Sequence, residues 1–422
     1  MTTVTGGLLR LATAGSVDDG KSTLVGRLLH DCRAIFADQW AAVEQASHRR
    51  GHDGADFALL TDGLRDEREQ GITIDVAYRY FATARRRFVL ADTPGHVQYT
   101  RNMVTGASTA QLAVILLDAR HGLVEQTRRH LAVTALLGVP EVVLAVNKMD
   151  LVGYDEDIFR GLAEEFAALC ARLKVASAVA VPISAVHGDN VVNRSERMPW
   201  YDGPTLLRHL EEAPVVETAA AARLPVQYVI RPRTPEHPDY RGYAGRLESG
   251  ALAVGQEVVV LPAGHRTTVT GLDRLGRPVD RAVAGDSVTV LLADELDVAR
   301  GDLIAPAEAA PTPVDEFALT VCHLADRPLG AGARVLLRHG TRVVRAMVTE
   351  LVDRTDIGTL AATARPAELR TNDIGTVRVR TAQPVAPDAY EENRGGGAML
   401  LVDDQSGDVL SAGMTRREGL PH

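Results

Sequence analysis

At 422 residues with 45% hydrophobic side chains, the chain is too long for one ordinary core and apolar enough to build two or three. A formal net charge of −9 and 4% aromatic residues argue against nucleic-acid binding, since neither a counterion-releasing basic surface nor many stacking platforms are supplied. Cys32, Cys170 and Cys322 stand far apart without Cys/His spacing, which argues against a structural zinc or a disulfide framework and fits a reducing compartment. The opening, MTTVTGGLLRLATAG, lacks a basic start followed by a long apolar run, and no 18-residue apolar stretch occurs. A cytoplasmic protein without a membrane partner is expected.

Residues 1–215 alternate strand and helix signals. The first apolar segment runs into Gly15-Ser16-Val17-Asp18-Asp19-Gly20-Lys21-Ser22-Thr23, a G-x-x-x-x-G-K-[ST] phosphate loop opening a helix. Its glycines permit the backbone conformations that turn successive N–H groups inward, and the helix N-terminus adds a favourable dipole. Lys21 would reach the β- and γ-phosphates, and Ser22 would place its hydroxyl on Mg²⁺. Asp18 and Asp19 would repel a triphosphate if they faced it, so both must point away or meet cations. Loop-shaping is the expected role of Asp19.

Helical signals follow at 24–29 and 41–46, then a polar loop at 48–56 and a charged run, LRDEREQG, ahead of Gly71-Ile72-Thr73-Ile74-Asp75. Short Val/Ile/Leu runs at 88–91, 112–117, 142–146 and 179–183 predict buried parallel strands. Helical spacing covers 126–137 and the stripe Ile158, Phe159, Leu162, Phe166, Leu169 and Leu173, beside which Cys170 falls in the core. Such alternation predicts a mostly parallel, doubly wound sheet binding its ligand at the strands' carboxyl ends.

Three strand ends carry the informative polar residues. One ends in Asp92-Thr93-Pro94-Gly95-His96, where Asp92 could hold Mg²⁺ through a water and Gly95 could let its amide approach the γ-phosphate. Another ends in Asn147-Lys148-Met149-Asp150. Asn147 can bond the purine N7/O6 region, and Asp150 can accept the N1–H and N2–H of guanine, a donor pair that adenine lacks. The third ends in Ser184-Ala185, placed to offer backbone N–H to guanine O6. Each motif alone is weak, but their order at successive strand ends identifies a GTP-binding P-loop domain.

GITID, DTPGH and NKMD after the phosphate loop resemble the translation-factor class of GTPases typified by elongation factor Tu. The resemblance implies that Thr73 coordinates Mg²⁺ and senses the γ-phosphate. It also implies that His96 orients the attacking water through an apolar gate formed by Val17 and Ile72. Lys21, Thr73 and His96 are thus the expected catalytic residues, with Ser22, Thr73 and Asp92 around the metal.

Within that class, GSVDDGK departs from the elongation factors' GHVDHGK at Ser16 and Asp19. With LLTDGLRDEREQGITIDVAYRYF, GDNVVNRSERMPWYDGPTLLRHLE and LLRHGTRVVRAMVTEL, it resembles the large, GTP-hydrolysing subunit family of bacterial heterodimeric ATP sulfurylase. The resemblance spans essentially the whole chain. It implies GTP and Mg²⁺ as cofactors and, as partner, a small catalytic subunit that binds ATP and sulfate. It also implies coupling of GTP hydrolysis to uphill formation of adenylyl sulfate and pyrophosphate. Only one phosphate loop is present, and no S-G-G-x-D-S pyrophosphate loop, so adenylyl transfer is expected on another polypeptide. A translation elongation factor delivering aminoacyl-tRNA is the alternative. It explains the GTPase motifs equally well, but not GSVDDGK, MPWYDG or the basic LLRHGTRVVR.

EAPVVETAAAAR, residues 212–223, reads as a linker. Beyond it, β-type runs at 226–230, 257–261, 267–270, 287–292 and 317–324, separated by Gly and Pro, predict two small β-barrels parted near PAEAAPTP. The expected domains are 1–215, 220–308 and 312–422. His265, His323 and His339 lack partners at metal spacing and read as core or surface residues. The basic run Arg338 to Arg345 reads first as a solvated strand face, with a docking surface as the alternative. RGGG near the end replaces the turn usual in the family.

Overall fold

The computed structural model describes residues 7–35, 57–60, 75–215, 220–232, 234–235 and 240–420, with 40, 41, 43, 45 and 47 besides. Thr73 and Ile72, the loop at 48–56 and the charged run before Gly71 lie outside the described residues. The chain divides into two compact units, Met1–Val216 and Glu217–His422.

The first unit is built on a six-stranded sheet in the order β2-β3-β1-β4-β5-β6. Its strands are β1 (Leu8–Gly15), β2 (Ala77–Ala82), β3 (Arg87–Asp92), β4 (Leu112–Asp118), β5 (Glu141–Asn147) and β6 (Ser177–Pro182). Every residue of β4 and β5 is buried, as continuous apolar runs demand when helices cover both faces of a parallel sheet. Those helices are α1 (Lys21–Asp31), α2 (Thr100–Ala107), α3 (Glu125–Leu136), α4 (Glu156–Arg172) and α5 (Leu206–Glu212). α4 starts where Asp155 caps the amides of Asp157 and Ile158, and it buries Phe159, Phe166, Leu169 and Cys170. Ile158, at the rim of the predicted stripe, is 38% exposed.

β2 runs antiparallel to β3 and is absent from the sequence-predicted strands. The reason is its environment: an edge strand exposes alternate residues, so Tyr78 and Tyr80 face outward and only Phe81 is fully buried, stacked on Phe88 at 4.6 Å. Strand order reverses about β1, which has β3 on one side and β4 on the other. A ligand crevice is expected beyond the carboxyl ends there. Burial pushes the Cys32 and Cys170 thiols up to about 12, so both behave as inert packing groups.

In the second unit two barrels close. The run from Leu224 to Ile230 pairs with Leu303–Pro306 at its start and Gly242–Arg246 at its end. It thereby completes a ring through Glu257–Leu261, His265–Arg274 and Ser287–Leu292. The other ring passes through Val314–His323, Ile374–Val385, Arg342–Thr355, Arg334–His339, Ala398–Asp403 and Val409–Thr415. Alternating residues fill each interior, with Leu224, Val258, Val269, Val290 and Ile304 in the first and Phe317, Leu319, Leu337, Val377 and Leu401 in the second.

Arg223, the end of the predicted linker, is buried and pairs with Asp388 of the other barrel at 2.8 Å. Asn393 donates to Asp388 at 2.8 Å and to Ser249 at 3.1 Å. RGGG forms a turn pressed on this cluster: a Cβ on Gly396 would lie 2.0 Å from Asp388 Oδ2, and one on Gly397 2.5 Å from the Tyr390 backbone. Only glycine fits there. His323 is fully buried between Ser411 (3.0 Å) and the Arg327 carbonyl (2.8 Å), and His339 bonds the Gly396 carbonyl at 2.8 Å. In the basic run, Arg338 and Arg345 are exposed, while Arg342 approaches Asp302 at 3.4 Å. Among the described residues, no helix is long and apolar enough to cross a membrane.

Candidate nucleotide-binding site

β1 ends at Gly15 and α1 begins at Lys21, so the intervening loop lies at the sheet's switch point with the helix N-terminus behind it. Gly20 caps α1 with φ 88°, and a Cβ there would sit 2.5 Å from Asn147 Nδ2. Asp19 bends the loop by accepting the Ser16 amide at 2.7 Å. Burial pushes the Asp19 carboxyl up to about 6, against hydrogen bonds from the Ser16 and Asp118 backbone. Asp18 adopts φ 69°, and its carbonyl accepts from Lys148 Nζ.

Lys21 forms a buried ion pair with Asp92 Oδ1 at 2.6 Å, and Thr13 Oγ1 donates to the same oxygen at 3.2 Å. The segment after β3 then presses on the phosphate loop. Thr93 Oγ1 donates to the Thr13 carbonyl at 2.6 Å, and a Cβ on Gly95 would lie 2.2 Å from the Gly15 carbonyl. Gly95 is therefore required for the close approach between the two loops. His96 follows, half-buried, with Nδ1 accepting the Gln98 amide at 3.3 Å. Val17 is 43% exposed on the loop.

The residues expected to recognise the base gather at the ends of β5 and β6. Buried Asn147 donates through Nδ2 to the Asp19 carbonyl at 2.7 Å and accepts the Ala185 amide on Oδ1 at 3.0 Å, knitting three loops together. Asp150 Oδ1 accepts from Ser184 Oγ at 2.6 Å. Lys148 reaches Asp118 Oδ2 at 3.0 Å, and Met149 is buried beneath the turn. Burial works to raise the Asp118 carboxyl, but Arg120 and Lys148 outweigh it and hold the group below the usual carboxylate range.

The chain matches the family described as Elongation factor Tu GTP binding domain over residues 7–223. It also matches Elongation factor Tu domain 2 over 243–305 and the GTP-eEF1A C-terminal domain-like family over 316–416. It is 53% identical over 97% of its length to a protein named bifunctional enzyme CysN/CysC from Mycobacterium tuberculosis strain H37Rv, spanning 67% of that protein. To the sulfate adenylyltransferase subunit 1 of Methylorubrum populi it is 49% identical, over 97% of this chain and 87% of that one. The chain belongs to the sulfate adenylyltransferase subunit 1 family.

For this family member, the structure brings together the phosphate-loop residues Gly15 to Thr23, the segment Asp92 to His96, the turn Asn147 to Asp150 and the pair Ser184-Ala185. Thr73 and the expected gate residue Ile72 lie outside the described residues. An oxygen-ligand set suited to Mg²⁺ fits what is present. The Ser22 hydroxyl stands on the first turn of α1, and Asp92 is a buried carboxylate whose two hydrogen bonds from Lys21 and Thr13 both fall on Oδ1.

Four supporting residues were not legible as site residues. Thr13 lies inside an apolar strand run, where a single polar residue reads as an interruption, and Asp118 closes β4 outside any recognised motif. Gln126 and His130 lie on α3, where Gln126 donates to the Gly95 carbonyl at 3.2 Å and stands 2.8 Å from His130 Nε2. Burial pushes the His130 ring down to about 3, with Arg129 and Lys21 acting in the same direction, so it packs as a neutral ring. An i, i+4 Gln/His pair on a buried helix face was the available signal.

Proposed function

We propose that this chain is the GTP-hydrolysing subunit of a sulfate adenylyltransferase acting in sulfate assimilation. It couples hydrolysis of GTP to the formation of adenylyl sulfate and pyrophosphate from ATP and sulfate on a small catalytic partner subunit in the cytoplasm. The observation that carries the guanine assignment is Asp150, held by Ser184 at 2.6 Å on a turn that Asn147 ties to the phosphate loop. Its carboxylate accepts both N1–H and N2–H of guanine, and Ala185 borders the O6 position.

The amides from Gly15 to Thr23 cradle the phosphates, and Lys21 exchanges its pairing with Asp92 for the β- and γ-phosphates. Ser22 and Thr73 would hold Mg²⁺, with Asp92 supporting it through a water. Bound there, the metal would neutralise charge on the phosphates. Gly95 brings its amide toward the γ-phosphate. His96 orients the attacking water; in the neutral ring, Nδ1 accepts from Gln98 and the proton resides on Nε2. The segments around Thr73 and His96 respond to the γ-phosphate and transmit its loss.

Incubating the purified chain with GTP, ATP, sulfate and a small subunit bearing a pyrophosphate loop tests this reading. Adenylyl sulfate formation that depends on GTP is expected. Synthesis indifferent to GTP, or GTP-dependent retention of aminoacyl-tRNA without synthesis, would overturn it.

A further inference from the structure

The turn that carries Asp150, Met149–Val152, is followed by two residues with left-handed backbones, Gly153 (φ 67°) and Tyr154 (φ 59°). A tyrosine in that region is strained and persists only where its surroundings hold it. Here they do so from several directions. The Tyr154 amide donates to the Met149 carbonyl at 2.8 Å, and Trp200 Nε1 donates to the Tyr154 carbonyl at 3.1 Å. The Tyr154 hydroxyl donates to Asp189 Oδ2 at 3.0 Å and accepts from Arg197 Nη1 at 2.9 Å.

Asp189 is the hub. Its carboxylate also accepts from Ser195 Oγ at 2.7 Å and pairs with Arg197 at 3.2 Å. Its carbonyl accepts the Ser184 amide at 3.2 Å, so the anchor of Tyr154 and the residue that bonds Asp150 belong to one tight turn. Besides the bonds from the Met149 amide to the Ile183 carbonyl and from the Ala185 amide to Asn147, the Asp150 turn and the Ser184 turn are joined through side chains twice more. One join is direct, Ser184 to Asp150; the other runs through Tyr154 and Asp189. The segment after Gly188, which no catalytic or phosphate role has claimed, supplies the second.

We propose that Tyr154, Asp189 and Arg197 are positioning residues for guanine recognition, holding the Asp150 turn against the Ser184 turn at the spacing that lets one carboxylate meet both N1–H and N2–H. The inference rests on the guanine reading above. Tyr154 and Asp189 touch neither base nor phosphate; they act through Asp150. Their loss therefore costs discrimination at the 2-amino group more than it costs phosphate binding.

Equilibrium competition with GDP and IDP, which lacks the 2-amino group, tests this on the full chain. The wild-type chain binds GDP more tightly than IDP, and Asp150→Asn abolishes the preference. Tyr154→Phe and Asp189→Asn are expected to shrink the GDP/IDP affinity ratio by about three- to tenfold, the scale of a weakened hydrogen bond to a charged group. Arg197→Ala, at a side chain 54% exposed and so compatible with folding, should shrink it in the same direction. Arg197→Lys should recover part, because an ammonium can still donate to Asp189. An unchanged ratio in these variants, or equal weakening of GDP and IDP, overturns the positioning role. A wild-type chain without GDP preference, or Asp150→Asn without effect, overturns the guanine reading instead.

Discussion

In the first unit, buried Asp19, Lys21, Asp92, Asp118 and Asn147 stand in or beside the loops at the carboxyl ends of parallel strands, whereas buried Glu141 opens β5 and pairs with His209. In the second unit the interior of each barrel is apolar, and the buried charge includes Arg223, paired with Asp388 with Asn393 beside it, and Asp403, paired with Arg327. Both arrangements satisfy desolvated polar groups with one another. They serve different ends. At the strand ends, polar pairs shape loops whose amides and carboxylates would face a nucleotide; between the barrels, one polar cluster fixes how two apolar-cored rings meet. Substitutions in the first unit should therefore alter specificity and rate, and those in the second should alter stability.

The largest expected effect is on specificity. Asp150→Asn should lower GTP affinity by on the order of 10³-fold and shift preference to xanthosine triphosphate, because the amide cannot accept both guanine donors. Competition binding with the two nucleotides checks this. Arg223→Ala tests the other half of the comparison: breaking a buried pair leaves Asp388 uncompensated and should cost about 3–5 kcal/mol in chemical denaturation, with nucleotide affinity unchanged. Loss of GTP binding in that variant would blur the distinction between the units.

His96→Ala should slow GTP hydrolysis by about 10²–10³-fold, the usual effect of removing one preorganised polar group, while GTP affinity is retained. Single-turnover hydrolysis with a parallel binding isotherm reads both. The smallest effect is a pH dependence. Folding raises the Asp19 carboxyl from 3.8 to about 6, so the folded chain binds more protons than the unfolded chain between those values. The stabilisation associated with the protonated form is complete below pH ~4 and is lost as pH rises through ~6, at most about 3 kcal/mol in all. Asp19→Asn keeps an acceptor for the Ser16 amide and should flatten that slope. Denaturation midpoints from pH 4 to 7 for the two proteins would show it.

Much of this was legible in the chain. Continuous Val/Ile/Leu runs marked β3 to β6: β4 and β5, buried along their whole length, cannot alternate, while the edge strand β6 keeps an apolar run although its start is exposed. The phosphate loop, DTPGH, NKMD and Ser184-Ala185 were legible because each is a contiguous run at a strand end, where backbone direction and side-chain chemistry are set locally. β2 was not, since an exposed edge strand with Tyr78 and Tyr80 outward has no apolar run to find. Nor was Arg223, whose Ala-rich context reads as linker until Asp388, far along the chain, is brought against it.

By itself the sequence determined the family, the P-loop domain with its two barrels, and the residue types set at each strand end, because these depend on local pattern and contiguous motifs. Only the tertiary structure decided that Asn147 spans three loops, that Gly95 must be glycine because the Gly15 carbonyl lies against it, and that Ser184 and Asp189 brace the turn of Asp150. Those are contacts between residues tens to more than a hundred positions apart, and only folding brings such groups within hydrogen-bonding distance.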